Sequence, residues 1–85
     1  MKKVYIDVRE PYEFASGHVK GAINIPLDQL MSGDLSDAQL TKDTSIIVYC
    51  RTGSRSGMAK MILDDMGFKN VINGINTLTV NERYL

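Results

Sequence analysis

Hydrophobic and polar positions along the chain fall into short blocks, each long enough for one strand or one short helix. Val4 to Val8 is a β-branched run ending at Asp7-Val8-Arg9, and it predicts a buried strand. Glu10-Pro11 then opens a short helix through Tyr12, Phe14 and Ala15. Proline suits the first helical turn, where its missing N–H loses nothing. Gly17 stands where a left-handed cap would end that helix. Ala22 to Ile25 predicts a second short strand, closed by Pro26. Leu27, Leu30 and Met31 keep helical spacing, and Ser36-Asp37-Ala38-Gln39 predicts one more helical turn.

Ser45-Ile46-Ile47-Val48-Tyr49 carries the strongest strand signal. It is continuously apolar rather than alternating, the pattern of a central strand covered on both faces. After a polar loop, Gly57 to Met66 predicts a helix that Gly67 stops. Met58, Ile62 and Met66 fall four apart and Ala59 and Leu63 likewise, which predicts one wide apolar stripe. Asn70-Val71-Ile72 predicts a last strand, followed by a polar tail. Strands alternating with helices over short connections imply an α/β layered fold with a small, mainly parallel sheet flanked by short helices. No repeat, low-complexity tract or linker interrupts residues 1–85, so they are expected to form one compact domain.

Composition narrows the functional classes. Ten Lys and Arg balance ten Asp and Glu. There is no excess positive charge to release counterions from nucleic acid or to bind an anionic membrane, so neither is an expected partner. No stretch approaches the roughly 20 apolar residues of a membrane helix. Met1-Lys2-Lys3 resembles the charged end of a signal peptide, but Asp7 interrupts the apolar run that follows. The chain as given is expected in the cytoplasm, and a leader removed before it would make it periplasmic. One cysteine excludes an internal disulfide, and one cysteine with one histidine excludes a Cys/His zinc cage within the chain.

The candidate chemistry lies in Cys50-Arg51-Thr52-Gly53-Ser54-Arg55-Ser56, between the best strand and the best helix. In an open α/β sheet, ligands bind at the carboxyl ends of the strands. A cysteine there meets a helix N-terminus, whose free N–H groups and dipole favour the thiolate. Gly53 permits a backbone turn that points successive N–H groups inward as an anion nest, and Ser54 and Ser56 add hydroxyl donors. From Thr44 to Leu63 there is no acidic residue, whereas Arg51, Arg55 and Lys60 are all present. Such a cationic patch suits a small anionic substrate. Each feature alone has a plainer reading: a cysteine at a strand end is often a small hydrophobe, and loop arginines are often solvated. Their coincidence at one strand–loop–helix junction favours function. Cys50 is thus the candidate nucleophile, and Arg51, Thr52, Gly53, Ser54, Arg55 and Ser56 are the candidate substrate-binding residues.

These residues resemble the rhodanese family of sulfurtransferases. Asp7-Val8-Arg9-Glu10, Glu13-Phe14, Gly17-His18-Val19, Gly21-Ala22 and Asn24-Ile25-Pro26 are similar to its opening motif. Tyr49-Cys50, Gly53, Ser56, Ala59, Leu63 and Met66-Gly67-Phe68 are similar to its active-site loop and following helix. The likeness is greatest to the small, single-domain, phage-shock type, whose bacterial members are periplasmic. It implies a rhodanese-like three-layer fold and a thiosulfate sulfurtransferase acting through a Cys50 persulfide, with no metal or organic cofactor needed. A small anionic donor such as thiosulfate and a thiol or cyanide acceptor are then the expected partners, with a protein sulfur acceptor as a further candidate. The sequence departs from the family near its end. Asn73-Gly74-Ile75 stands where many members have Gly-Gly-Ile, and Leu78 stands where a tryptophan is usual.

Three other readings compete. Related phosphatases and arsenate reductases place one more residue between cysteine and arginine, whereas here the matching position is Ser56. The tighter loop suits one sulfur atom better than a tetrahedral oxyanion. A non-catalytic binding module loses its main motive because Cys50 is intact. A persulfide carrier would use the same cysteine. Elsewhere, His18 is expected to make a structural hydrogen bond rather than act as a base. Asp7, Arg9, Glu10 and Glu13 are expected in internal ion pairs or caps, with Asp7 the best of them for a site role. The five methionines are expected to fill the core, and Lys60 to be a solvated helix charge.

Overall fold

The apolar run Ser45–Tyr49 forms strand β3, and its side chains divide between two covered faces of one sheet. The computed structural model describes residues 2–85. Strands β1 (Lys3–Asp7), β2 (Ile23–Asn24), β3 and β4 (Asn70–Ile75) line up in the order β2-β1-β3-β4. Every pairing is parallel, with Val4 opposite Ile46 and Ile6 opposite Val48. Helices α1 (Pro11–Ala15), α2 (Leu27–Met31), α3 (Ser54–Asp65) and α4 (Thr77–Arg83) complete the chain.

Period-two alternation along β3 builds two cores. Ile46 and Val48 join Val4, Ile6, Leu30, Ala59 and Leu63 on the face covered by α2 and α3. Ile47 and Tyr49 join Val19 and Val80 on the other. The result is the expected three-layer α/β arrangement, with the carboxyl end of β3 running straight into Cys50.

Four local expectations need correction. Helix α3 starts at Ser54 rather than Gly57. Ser54 and Ser56 are modest helix formers, but they occupy the first turn, where backbone N–H groups have no intrahelical partner and can serve a ligand. Ser36–Gln39 makes no helix: the Asp34 carboxylate accepts from the Ser36 N–H at 3.0 Å and its hydroxyl at 2.6 Å, leaving a turn.

The polar tail is helix α4. Asn76 caps it by accepting the Thr79 N–H at 2.8 Å, and Val80 is its buried anchor. The Tyr5 hydroxyl donates to the Tyr84 carbonyl at 2.8 Å, tying the end of α4 to β1. Leu78, in the tryptophan's usual place, points outward and is exposed.

Three of the five methionines do not fill the core. Met31, Met58 and Met61 are exposed, because α3 buries the face bearing Ser56, Ala59 and Leu63. Met58 and Met61 fall off that face, so the predicted stripe narrows to Ala59 and Leu63, with Ile62 and Met66 at its margin. Met1 lies outside the described residues.

Candidate active site

Cys50 leaves β3 with its N–H donating to the Ile75 carbonyl at 3.0 Å, so the residue is pinned to β4 before the loop begins. Its thiol is buried. The chain then turns back over the sulfur through Gly53, whose φ of 98° is left-handed and accessible to glycine without a Cβ penalty. That turn aims the Gly53 N–H at Cys50 Sγ at 3.1 Å. One turn later the Ser56 N–H reaches the same atom at 3.4 Å, and Ser56 Oγ lies 3.3 Å from it.

These donors decide the protonation of the sulfur. Burial alone would push the thiol up. The hydroxyl and N–H of Ser56, with the N–H groups of Gly53 and Thr52, outweigh burial and bring it down to about 7. A thiol with that value is substantially thiolate near neutral pH, and the thiolate is the nucleophile. Two of the candidate binding residues, Gly53 and Ser56, therefore contact the sulfur directly.

The others divide. Arg51 and Thr52 on the loop and Ser54 at the start of α3 are exposed, with Thr52 Oγ1 3.5 Å from Ser54 Oγ. Arg51 makes no ion pair among the described residues. Arg55 is committed elsewhere: its guanidinium holds Glu13 through Nη1–Oε1 at 2.7 Å and Nη2–Oε2 at 3.2 Å. The segment from Thr44 to Leu63 lacks acids along the chain, but the fold brings Glu13 of α1 against it. Glu13 also accepts the Glu10 N–H at 3.0 Å, so one carboxylate caps α1 and fastens it to α3. Arg55, together with that N–H, lowers Glu13 to about 2. Lys60 pairs with Asp64 along α3 at 2.7 Å, a surface pair rather than an extension of the cationic patch.

The opening motif does structural work beside the site. Asp7 is fully buried, and its carboxylate accepts from Arg9 Nε and Nη2 and from the Arg9 N–H. Arg9 Nη2 also donates to the Gly17 carbonyl at 2.7 Å, closing the loop after α1. Asp7 thus has its oxygens filled by a fixed partner. His18 stacks on Phe14 with ring centroids 3.6 Å apart, and its Nδ1 donates to the Phe14 carbonyl at 2.8 Å. It is the structural histidine that the sequence suggests.

The strand–loop–helix arrangement and the opening motif have counterparts in known proteins. A family model described as the Rhodanese-like domain matches residues 1–75. The chain belongs to the rhodanese family. It is 44% identical over 69 residues to the thiosulfate sulfurtransferase PspE of Escherichia coli strain K12, a match spanning 81% of this chain and 65% of PspE. The chain therefore spans slightly less than two thirds of that relative's length. A rhodanese from E. coli solved with anions superposes with a TM-score of 0.74 at 36% identity, covering 91% of this chain and 89% of the other. The human single-domain sulfurtransferase TSTD1 shares the fold at 22% identity, with a TM-score of 0.79 over 99% and 85% of the two chains. Helix α4 lies beyond the family match.

Sequence reasoning missed one residue that braces the cysteine loop from β4. Asn73 accepts the Ser56 hydroxyl on Oδ1 at 2.6 Å and donates from Nδ2 to the Gly53 carbonyl at 3.1 Å. The available signal was a polar amide directly after the apolar pair Val71-Ile72.

Proposed function

We propose that this protein is a thiosulfate sulfurtransferase with Cys50 as its nucleophile. The observation that carries the reading is the sulfur's setting: Cys50 Sγ accepts two backbone N–H groups and sits beside the Ser56 hydroxyl at the mouth of α3. The relatives named as sulfurtransferases support it, and so does the loop's size, which cradles a single sulfur. In the first half-reaction, the Cys50 thiolate attacks the outer sulfur of thiosulfate. A sulfur–sulfur bond to Cys50 forms, the bond to the sulfite sulfur breaks, and sulfite leaves with the electron pair. The anionic persulfide then takes the loop's N–H donors. In the second, the carbon of cyanide or the sulfur of a thiolate attacks the outer sulfur, and Cys50 departs as thiolate.

Arg51 is the cation free to meet the sulfonate of the donor, while Arg55 shapes the loop through Glu13. A protein thiol can replace the small acceptor without any change in the chemistry at Cys50. Steady-state kinetics with thiosulfate and cyanide should show the parallel reciprocal plots of a ping-pong reaction, abolished in Cys50→Ser. Turnover of an aryl phosphate by the wild type, lost in Cys50→Ser, would instead assign the loop to phosphoryl transfer.

A further inference from the structure

We propose that Asn73 is a positioning residue for the Cys50 sulfur, a single amide that holds in place both residues donating to it. The proposal rests on Cys50 being the reactive group of the loop. Along β4 the register with β3 shifts, so that Val48 pairs with Asn73 but Tyr49 pairs with Ile75. Gly74 is the extra residue of this bulge, and a bulge re-aims the neighbouring side chain. Here it turns Asn73 toward the cysteine loop.

The orientation of that amide is fixed by its backbone partners. The Ile75 N–H, 3.0 Å away, can only donate, so the atom facing it is Oδ1. The Gly53 carbonyl can only accept, so the atom facing it is Nδ2. Oδ1 also takes the Ser56 hydroxyl at 2.6 Å, which sets Ser56 Oγ 3.3 Å from the sulfur. Nδ2 steadies Gly53, the residue whose N–H reaches the sulfur at 3.1 Å. Asn73 touches no sulfur itself and acts through these two.

A single hydroxyl proton gives the arrangement two states. With Cys50 as thiol, Ser56 donates to Asn73 and its lone pair receives the S–H. With an anionic sulfur, either thiolate or persulfide, the hydroxyl turns to the sulfur, and the Ile75 N–H keeps Oδ1 partnered. The charged groups around the sulfur are Arg51 on the loop, Arg55 on α3 and, paired with Arg55, Glu13 on α1. Strand β4 contributes none. None of these charges hydrogen-bonds Asn73, so changes at Asn73 leave them in place.

Two measurements test this. In ¹⁵N-labelled wild type, the Asn73 side-chain amide resonances should shift with pH at the midpoint found for Cys50 by the rate of iodoacetamide alkylation. Static Asn73 signals through that titration would overturn the proposal, and no variant is needed to see them. In Asn73→Ala, shown to be folded by its thermal transition, the alkylation midpoint should rise by about one pH unit, because the lost placement of the Gly53 and Ser56 donors outweighs the release of the Ser56 hydroxyl from Oδ1. An unchanged or lowered midpoint in the folded variant would also overturn it. Both readouts follow the thiol alone, so they can succeed even if thiosulfate fails to load sulfur onto Cys50, and the two readings fail separately.

Discussion

Glu13 and Arg55 stand 42 residues apart in the chain and meet in a two-point ion pair, with oxygen–nitrogen distances of 2.7 and 3.2 Å. The pair joins the N-terminal helix to the first turn of the helix that carries the cysteine loop. It makes Arg55 a brace for that loop and leaves Arg51 as the open cation beside it.

The pair has a pH signature. Glu13 is lowered from its ordinary 4.5 to about 2 in the folded protein, first by Arg55 and then by the Glu10 N–H. A carboxylate lowered by folding contributes stability that is fully present above its unfolded value and lost as pH falls through its folded one. Urea unfolding at pH 6 and pH 3 should show wild type losing stability across that window. The Glu13→Gln variant, which has no proton to take up there, should lose less.

The two arginines should separate in kinetics. Arg51→Ala should raise the KM for thiosulfate by about three- to tenfold, as expected for the loss of one exposed charge-assisted hydrogen bond, and leave the thermal transition unchanged. Arg55→Ala should lower the thermal transition as well as turnover, because it leaves the Glu13 carboxylate without its partner. Steady-state kinetics alongside calorimetry distinguishes the two.

The sulfur's ionisation should be visible directly. Alkylation of Cys50 should speed up as pH rises through about 7. Ser56→Ala removes the hydroxyl, leaving the Ser56 N–H in place, and should move that midpoint upward by about one pH unit or less. A Ser56→Ala profile superposable on wild type would deny the hydroxyl a part in stabilising the thiolate.

The bulge that aims Asn73 depends on Gly74. A Cβ there would lie 2.7 Å from Val80 Cγ2 and 2.8 Å from Ile47 Cγ2, both in the core beneath α4. Gly74→Ala should cost about 1–3 kcal/mol of stability in urea unfolding. It should also raise the alkylation midpoint of Cys50, because β4 must shift to make room.

What the sequence discloses is what lies close together along the chain. The run Ser45–Tyr49 and the glycine and serines after Cys50 are contiguous, so the central strand, the cysteine at its end and the donors around the sulfur are all legible in one pass. The partners that tune the site come from far away. Glu13 reaches Arg55 across 42 residues and Asn73 reaches Ser56 across 17, and neither pairing leaves a local pattern. Helix α4 hides for another reason: Thr77–Arg83 is mostly polar, and only the Asn76 cap and buried Val80 mark it. Met58 misleads because apolar spacing alone does not say which face of α3 the sheet covers.

The central claim is that Cys50 carries sulfur, and intact-mass spectrometry tests it most directly. Freshly reduced protein incubated with thiosulfate should gain the mass of one sulfur atom, located on the Cys50 peptide and removed by cyanide. Wild-type protein that stays at its unmodified mass under those conditions would contradict the account.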